Sequence, residues 1–192
     1  MCYNVYMEKP REQDYTQEIR VSNIFNSKTI ELIQDKNILD LGIHQGHLSN
    51  LAFSFGAKSI TGIESELEHC DQGKSLHPDI NFINKDLNVD SYLDLAKDAD
   101  VVFCLGVSYY IDDFNEMVSN ISSLSNIKTI IFETAFIEED YILPSLYTLL
   151  SEKTLTDIFT NNNFNVTETK KYKLDTEFQY MSDRMVYVLE RN

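Results

Sequence analysis

The sequence predicts an α/β fold: seven strands in one mostly parallel sheet, with helices on both faces. Three observations predict it. Short apolar, β-branched runs alternate with helix-like segments from about residue 36 onward. A glycine-bearing turn joins the first run to the first of these helices, as a parallel sheet requires of its strand-to-helix connections. The last two runs are placed to close the sheet as an antiparallel hairpin. A chain of 192 residues fits one domain with a sizeable core, and 1–192 is read as a single unit.

The strands are expected at Asn37–Leu41, Ser59–Glu64, Ile80–Asn84, Asp100–Gly106 and Lys128–Glu133, with the hairpin at Asn165–Tyr172 and Arg184–Glu190. Helices are expected at His47–Phe55, Glu66–Lys74, Tyr92–Lys97 and Asp112–Leu124, the last capped by Asp112 or Asp113. Ser151 is placed to cap a further helix that runs to about Thr160. Two segments lie outside the alternation. Residues 1–36 precede the first strand, and Ser22–Gln34 reads there as a helix. Residues 134–150 follow the fifth strand and contain Tyr141, Pro144 and Tyr147. Extra chain at this end of a parallel sheet often covers a ligand, so both segments are expected to act as lids.

Composition narrows the function. Net charge is −15, from 31 acidic and 16 basic residues. A nucleic-acid backbone is held by a basic surface, so a nucleic-acid partner is not expected. The densest basic cluster, Lys170, Lys171 and Lys173, reads as a solvated strand edge. No apolar run is long enough to span a bilayer, and Met1–Pro10 lacks the apolar core of a signal peptide. The three cysteines, Cys2, Cys70 and Cys104, form no CxxC pair and are odd in number, which suits a reducing cytoplasm. His44 and His47 lack an obvious third ligand, so no metal is expected.

The chemistry concentrates at Asn37–Ser49. An apolar strand ends in Asp40, a turn carries Gly42 and Gly46, and a helix follows. The glycines remove side chains where a ligand must approach the backbone. The helix N-terminus presents N–H groups to a carboxylate, while Asp40 can accept from an ammonium. A zwitterionic amino-acid moiety needs both. Glu64 ends the second strand 22 residues after Gly42, where a doubly wound sheet places a ribose-binding carboxylate. Asp86 ends the third strand and can accept from an adenine amino group, with Leu87 beside it. Either carboxylate alone is an ordinary strand-end residue; their joint spacing with Gly42 and Gly46 singles them out.

These motifs resemble those of class I S-adenosylmethionine-dependent methyltransferases. The pattern Asp40-x-Gly42-x-x-x-Gly46, then Gly56-Ala57-x-Ser59-Ile60-x-Gly62-Ile63-Glu64, is similar to their first two cofactor motifs. Asp100 to Asp112 resembles the fourth-strand motif, and the likeness covers roughly residues 36–190. It implies a Rossmann-like fold, S-adenosyl-L-methionine as cofactor, and in-line methyl transfer to an acceptor. It also implies roles: Asp40, Gly42 and Gly46 for the methionine part, Glu64 for the ribose, Asp86 with Leu87 for adenine, and Ile43, His44, Ser65 and Leu105 as further cofactor-binding residues. His44 departs from the family, which commonly has glycine there. A fainter resemblance links Cys104–Tyr110 and Ile131–Pro144 to methyltransferases that modify wobble uridines in transfer RNA; the acidic balance argues against an RNA substrate and for a small-molecule acceptor.

On the acceptor side, His47, Tyr109, Tyr110 and Glu133 are the candidate residues. Glu133 ends the fifth strand and reads as an acceptor-binding carboxylate or general base, or else as a loop cap. Tyr109 and Tyr110 read as a rim, with one of them packing under the next helix. Two rival readings stand beside the methyltransferase. A dinucleotide-dependent oxidoreductase would favour Gly-x-Gly-x-x-Gly, a spacing this turn lacks. A non-catalytic adenosylmethionine-binding protein would share the site and omit the transfer.

Overall fold

The computed structural model describes residues 12–142, 148–174 and 182–192. Cys2, Pro144 and Tyr147 lie outside the described residues, as does the start of the N-terminal lid segment. Seven strands form one sheet: β1 (Asn37–Leu41), β2 (Ser59–Glu64), β3 (Asn81–Asn84), β4 (Val101–Leu105), β5 (Thr129–Ala135), β8 (Phe164–Lys173) and β9 (Asp183–Arg191). Between β5 and β8, β6 (Tyr141–Ile142) pairs with β7 (Thr148–Leu149) in a small separate sheet. The main order is β3-β2-β1-β4-β5-β9-β8. Strands β1 to β5 run parallel, and β9 lies antiparallel to both β5 and β8.

Alternation along the strands builds two cores. On one face Leu39, Val102, Ile130 and Tyr187 pack with α5 (Leu93–Ala96), α6 (Phe114–Ser122) and α7 (Glu152–Asn161). On the other, Ile38, Val101, Phe103 and Ile131 pack with α1 (Glu12–Ile24), α2 (Ser27–Ile33), α3 (His47–Ser54) and α4 (Leu67–Leu76). Every residue of β4 and β5 is buried, as strands covered on both sides must be. Cys104 and Cys70 are buried and unpaired. Lys170, Lys171 and Lys173 stand exposed on β8, the sheet's edge, where charge discourages further strand pairing.

Two expectations need correction. Ser22–Gln34 is not one helix: α1 ends at Ile24 and α2 begins at Ser27. Asn26 adopts an extended backbone and its side chain accepts from the Thr29 N–H, so a strong cap restarts the helix there. Strand β5 also continues past Glu133 to Ala135, because β9 supplies pairing partners as far as Arg184. The insertion that follows is therefore shorter than 134–150. At α6 the capping residue is Asp113, whose carboxylate accepts from Glu116 N–H at 2.8 Å. No helix among the described residues is long and apolar enough to cross a membrane.

Candidate functional site

Strand order reverses between β1 and β4, so the loops after these strands diverge and leave a crevice. A cleft of about 870 Å³ opens there. Every residue assigned above to the cofactor lines it, from Asp40 through Glu64 and Asp86 to Leu105.

The turn after β1 is shaped by left-handed backbone. Gly42 has φ +76°, and a Cβ there would stand 2.5 Å from Val107 Cγ2. Gly46 has φ +82°, and a Cβ would stand 2.6 Å from Phe82 Cζ. Both positions therefore need glycine for space as well as for conformation. His44 also has a positive φ, 54°, with its side chain exposed. Its backbone N–H donates to Glu64 Oε2 at 2.9 Å. Glu66 N–H donates to Glu64 Oε1 at 2.9 Å. The carboxylate of Glu64 is thus fixed at the cleft wall by two backbone donors, with Ser65 Oγ donating to Oε1 as well at 3.4 Å, so Oε2 keeps a lone pair.

Asp40 is almost wholly buried, 3% exposed, and accepts from Ser49 Oγ at 2.6 Å. Burial pushes its carboxyl up to about 7, against the pull of Ser49 and of Arg20. A cation placed in the cleft beside it would restore the ionised form. Beyond Glu64, Asp86 stands exposed; its Oδ1 accepts the Asn88 N–H at 2.9 Å and shapes the loop after β3.

The histidines gather along this side. The His44 and His69 rings pack at a 49° tilt with centroids 4.0 Å apart. His47 Nδ1 lies 3.3 Å from His77 Nε2. Burial, with a second imidazole adjoining, holds His44 and His77 below the usual value, so both are neutral at pH 7. His47, a candidate contact to the substrate, lines the cleft beside the glycine turn.

At the opposite end, a single 3-10 turn at Ser108–Tyr110 follows β4. Tyr109 is buried against Ala135 and Leu149, while Tyr110 is 48% exposed; their ring centroids are 4.7 Å apart. One tyrosine therefore packs and the other faces out, and both line the cleft. No described residue of 134–150 lines it, and Tyr141 is turned to solvent. The N-terminal segment does reach it, through Arg20 of α1.

Glu133 occupies a different place from the one expected. It does not line the cleft and is 0% exposed. It accepts from Arg184 Nε at 2.6 Å and Nη2 at 2.7 Å, from Arg20 Nη2 at 3.0 Å, and from Tyr172 Oη at 2.6 Å. Burial alone would raise it, but the two guanidiniums override that and hold it at about 2. A carboxylate so saturated and so acidic has no capacity to act as a general base or to receive an acceptor. Arg20 and Arg184 stand between it and the cleft. Sequence reasoning missed both arginines. Arg184 carried a signal, a charge leading the apolar run Met185–Leu189.

Compared with solved structures, the chain aligns over nearly its full length. It is similar to an S-adenosylmethionine-dependent methyltransferase from Listeria monocytogenes, with TM-score 0.70, 12% identity, and coverage of 95% of this chain and 100% of that one. The fold is that of class I S-adenosylmethionine-dependent methyltransferases. The N-methyltransferase NodS from Bradyrhizobium japonicum, solved with S-adenosylhomocysteine, gives TM-score 0.69 at 14% identity, covering 96% and 89% of the two chains. Magnesium protoporphyrin IX methyltransferase from Synechocystis, solved with bound cofactor, gives 0.67 at 15%, covering 95% and 85%. No protein-family model matches the sequence, and no curated protein matches it. At such identities the methyltransferase likeness is one of architecture, and chemistry has to be argued from the cleft.

Proposed function

We propose that this protein binds S-adenosyl-L-methionine in the cleft and transfers its methyl group to a small-molecule acceptor seated toward β4 and β5. The observation that carries the reading is the convergence of Asp40, Glu64 and the Gly42–Gly46 turn on one cleft at a topological switch point. The residues fit the group. The glycine turn is a cradle that a Cβ would fill. Asp40, buried with a single hydroxyl partner, suits an ammonium. Glu64 Oε2, with one backbone donor, retains a lone pair for a ribose hydroxyl.

The cofactor supplies an activated methyl on a sulfonium. The protein's task is then orientation: the loops after β1 and β2 fix one reactant, and the 3-10 turn after β4 positions the other. The tyrosine pair and Leu105, Val107 and Ile111 give the acceptor end apolar walls that limit water. Deprotonation of the acceptor is left to solvent or to the acceptor's own acidity, since Glu133 is spoken for.

Calorimetry with S-adenosylhomocysteine tests the binding. Micromolar affinity is expected, weakened at least tenfold by Asp40→Ala and by Glu64→Ala, about 1.4 kcal/mol each. Unchanged affinity in both variants would place the site elsewhere. An acceptor screen with the labelled cofactor then separates an enzyme from a protein that binds without transfer. Nicotinamide dinucleotide should produce no thermal shift.

A further inference from the structure

Two loops border the cleft beyond the glycine turn: 85–91 after β3, on the cofactor side, and 106–113 after β4, on the acceptor side. An exposed side chain, Asn88, joins them. Its Nδ2 donates to the Tyr110 carbonyl at 2.9 Å. Its Oδ1 accepts the Asp112 N–H at 2.9 Å. Both ends of the amide are therefore engaged by backbone of one turn, 22 and 24 residues away in sequence. The pattern asks for a donor and an acceptor on the same short side chain, which asparagine has and aspartate lacks.

The two loops differ in how they are held. The one after β3 is braced within itself. Asp90 Oδ2 accepts the Asp86 N–H at 2.9 Å, and the Asp90 N–H donates back to the Asp86 carbonyl at 2.8 Å. Asp86 Oδ1 accepts the Asn88 N–H at 2.9 Å, and Lys85 Nζ donates to the Ser91 carbonyl at 2.7 Å. A constraint placed on Asp86 is thus passed to Asn88. The turn after β4 is a single 3-10 turn, closed by Tyr110 N–H to the Val107 carbonyl at 2.9 Å and Ile111 N–H to the Ser108 carbonyl at 3.2 Å. Hydrogen bonds of such short turns have poor geometry. Where Tyr110 stands therefore depends on what ties the turn from outside, and Asn88 ties it at Tyr110 and at Asp112.

We propose that Asn88 is a positioning residue: it carries the order that the cofactor imposes on the loop after β3 across to the turn bearing Tyr110, so that the acceptor end of the cleft is set once the cofactor is in place. The proposal rests on the methyltransferase reading, in which Asp86 and Leu87 hold the adenine. Asp86 has the capacity for both tasks. Its Oδ1 holds Asn88, while its Oδ2 takes no hydrogen bond from the described residues and is left to the ligand. The gain is entropic. A first ligand that orders a loop bears the cost of that ordering, and a second ligand that meets the ordered turn bears less, without any new contact between the two. The acceptor accordingly binds more tightly to the cofactor complex than to the free protein, and the coupling is reciprocal.

Amide hydrogen exchange followed by NMR tests it on the full chain, in wild type, Asn88→Ala and Asn88→Asp, each with and without saturating S-adenosylhomocysteine. The aspartate keeps an acceptor for Asp112 but has no donor for Tyr110, and it serves should the alanine variant fail to fold. In wild type the ligand should slow exchange by about fivefold or more at Val89 and Asp90, in the loop after β3, and at Tyr110 and Ile111, in the turn after β4. In the variants the slowing at Val89 and Asp90 should remain, with affinity for S-adenosylhomocysteine within about threefold of wild type, while the slowing at Tyr110 and Ile111 disappears. A brace that served stability alone would loosen the turn equally with and without ligand, so the ligand-dependent part is what counts. Slowing at Tyr110 and Ile111 that survives in the variants overturns the proposal, because the ligand would then reach the turn directly. Absence of that slowing in wild type overturns it too. So does a tenfold loss of affinity in the variants, which would place Asn88 against the cofactor itself. Failure of wild type to bind S-adenosylhomocysteine refutes the parent reading, and this proposal with it.

Discussion

Replacing Glu133 by glutamine removes one charge from a group that is 0% exposed and holds two arginines. The side chain keeps its volume, so the effect is electrostatic and not a cavity. Breaking one partner of a buried ion pair costs about 3–5 kcal/mol, because the remaining charge stays buried and uncompensated. The folded carboxyl gives an independent figure: a depression from 4.5 to about 2 corresponds to about 3 kcal/mol. The two figures agree, and in a chain of this size they amount to a fall in melting temperature on the order of 10 °C. Thermal and urea unfolding followed by circular dichroism measure it. The pH dependence is fixed in sign. Because the folded value lies below the unfolded one, the contribution is complete above pH 4.5 and is lost as pH falls through about 2. The gap between wild type and Glu133→Gln should thus be constant from pH 5 to 8 and shrink below that range. Removing Arg20 as well should recover part of the loss, since the variant otherwise leaves two guanidiniums facing each other. A loss under about 1 kcal/mol, or a gap that varies between pH 5 and 8, would refute the reasoning.

Asp40→Asn should act in the opposite sense. Its folded value of about 7 lies above the ordinary 3.8, so its ionised form costs up to about 4 kcal/mol above pH 7 and nothing below pH 4; the variant should melt higher than wild type at pH 8, match it at pH 4, and bind S-adenosylhomocysteine more weakly. Gly46→Ala should destabilise by about 2 kcal/mol or more, read by urea denaturation, since the new methyl would meet the Phe82 ring in a left-handed backbone. Tyr110→Ala, at a half-exposed position on the cleft, should lower methyl transfer to an identified acceptor more than S-adenosylhomocysteine affinity, read by labelled-methyl transfer and calorimetry.

That Asp40, Gly42, Gly46 and Glu64 line one cleft was legible because their signals are local. Asp40, Gly42 and Gly46 sit within one strand-turn-helix, and Glu64 follows at the spacing that one crossover imposes. The Arg20–Glu133–Arg184 cluster was not, because its contacts are distant in sequence: Arg20 reaches Glu133 across 113 residues and Arg184 across 51. Strand order places β9 beside β5 with Arg184 opposite Ala135, and the packing of α1 on the sheet brings Arg20. Glu133 was legible as a strand-end carboxylate, but whether such a group faces a ligand or an arginine depends on those neighbours. The break between α1 and α2 did carry a local signal, since Asn26 followed by Ser27 and Thr29 is a good cap; the apolar spacing across it masked the cap.

His44 shows how the turn tolerates a residue that its architecture commonly gives to glycine. Three positions of the turn have positive φ, but they ask for different things. Gly42 and Gly46 must lack a side chain, because Val107 and Phe82 occupy the space a Cβ would need. Position 44 must supply an N–H to Glu64 in a left-handed backbone, and its side chain is exposed. Histidine is among the residues that adopt that conformation with the least strain. Its ring then finds His69 across the cleft mouth, and His47 finds His77, so all four histidines of the chain lie on this one side. The cradle is thereby conserved in its geometry while its rim is made of imidazoles. His44→Gly should accordingly retain S-adenosylhomocysteine affinity within about threefold, since the Glu64 contact is made by backbone. Calorimetry showing a tenfold change would mean that the ring itself touches the ligand, and the rim would have to be counted as part of the binding site.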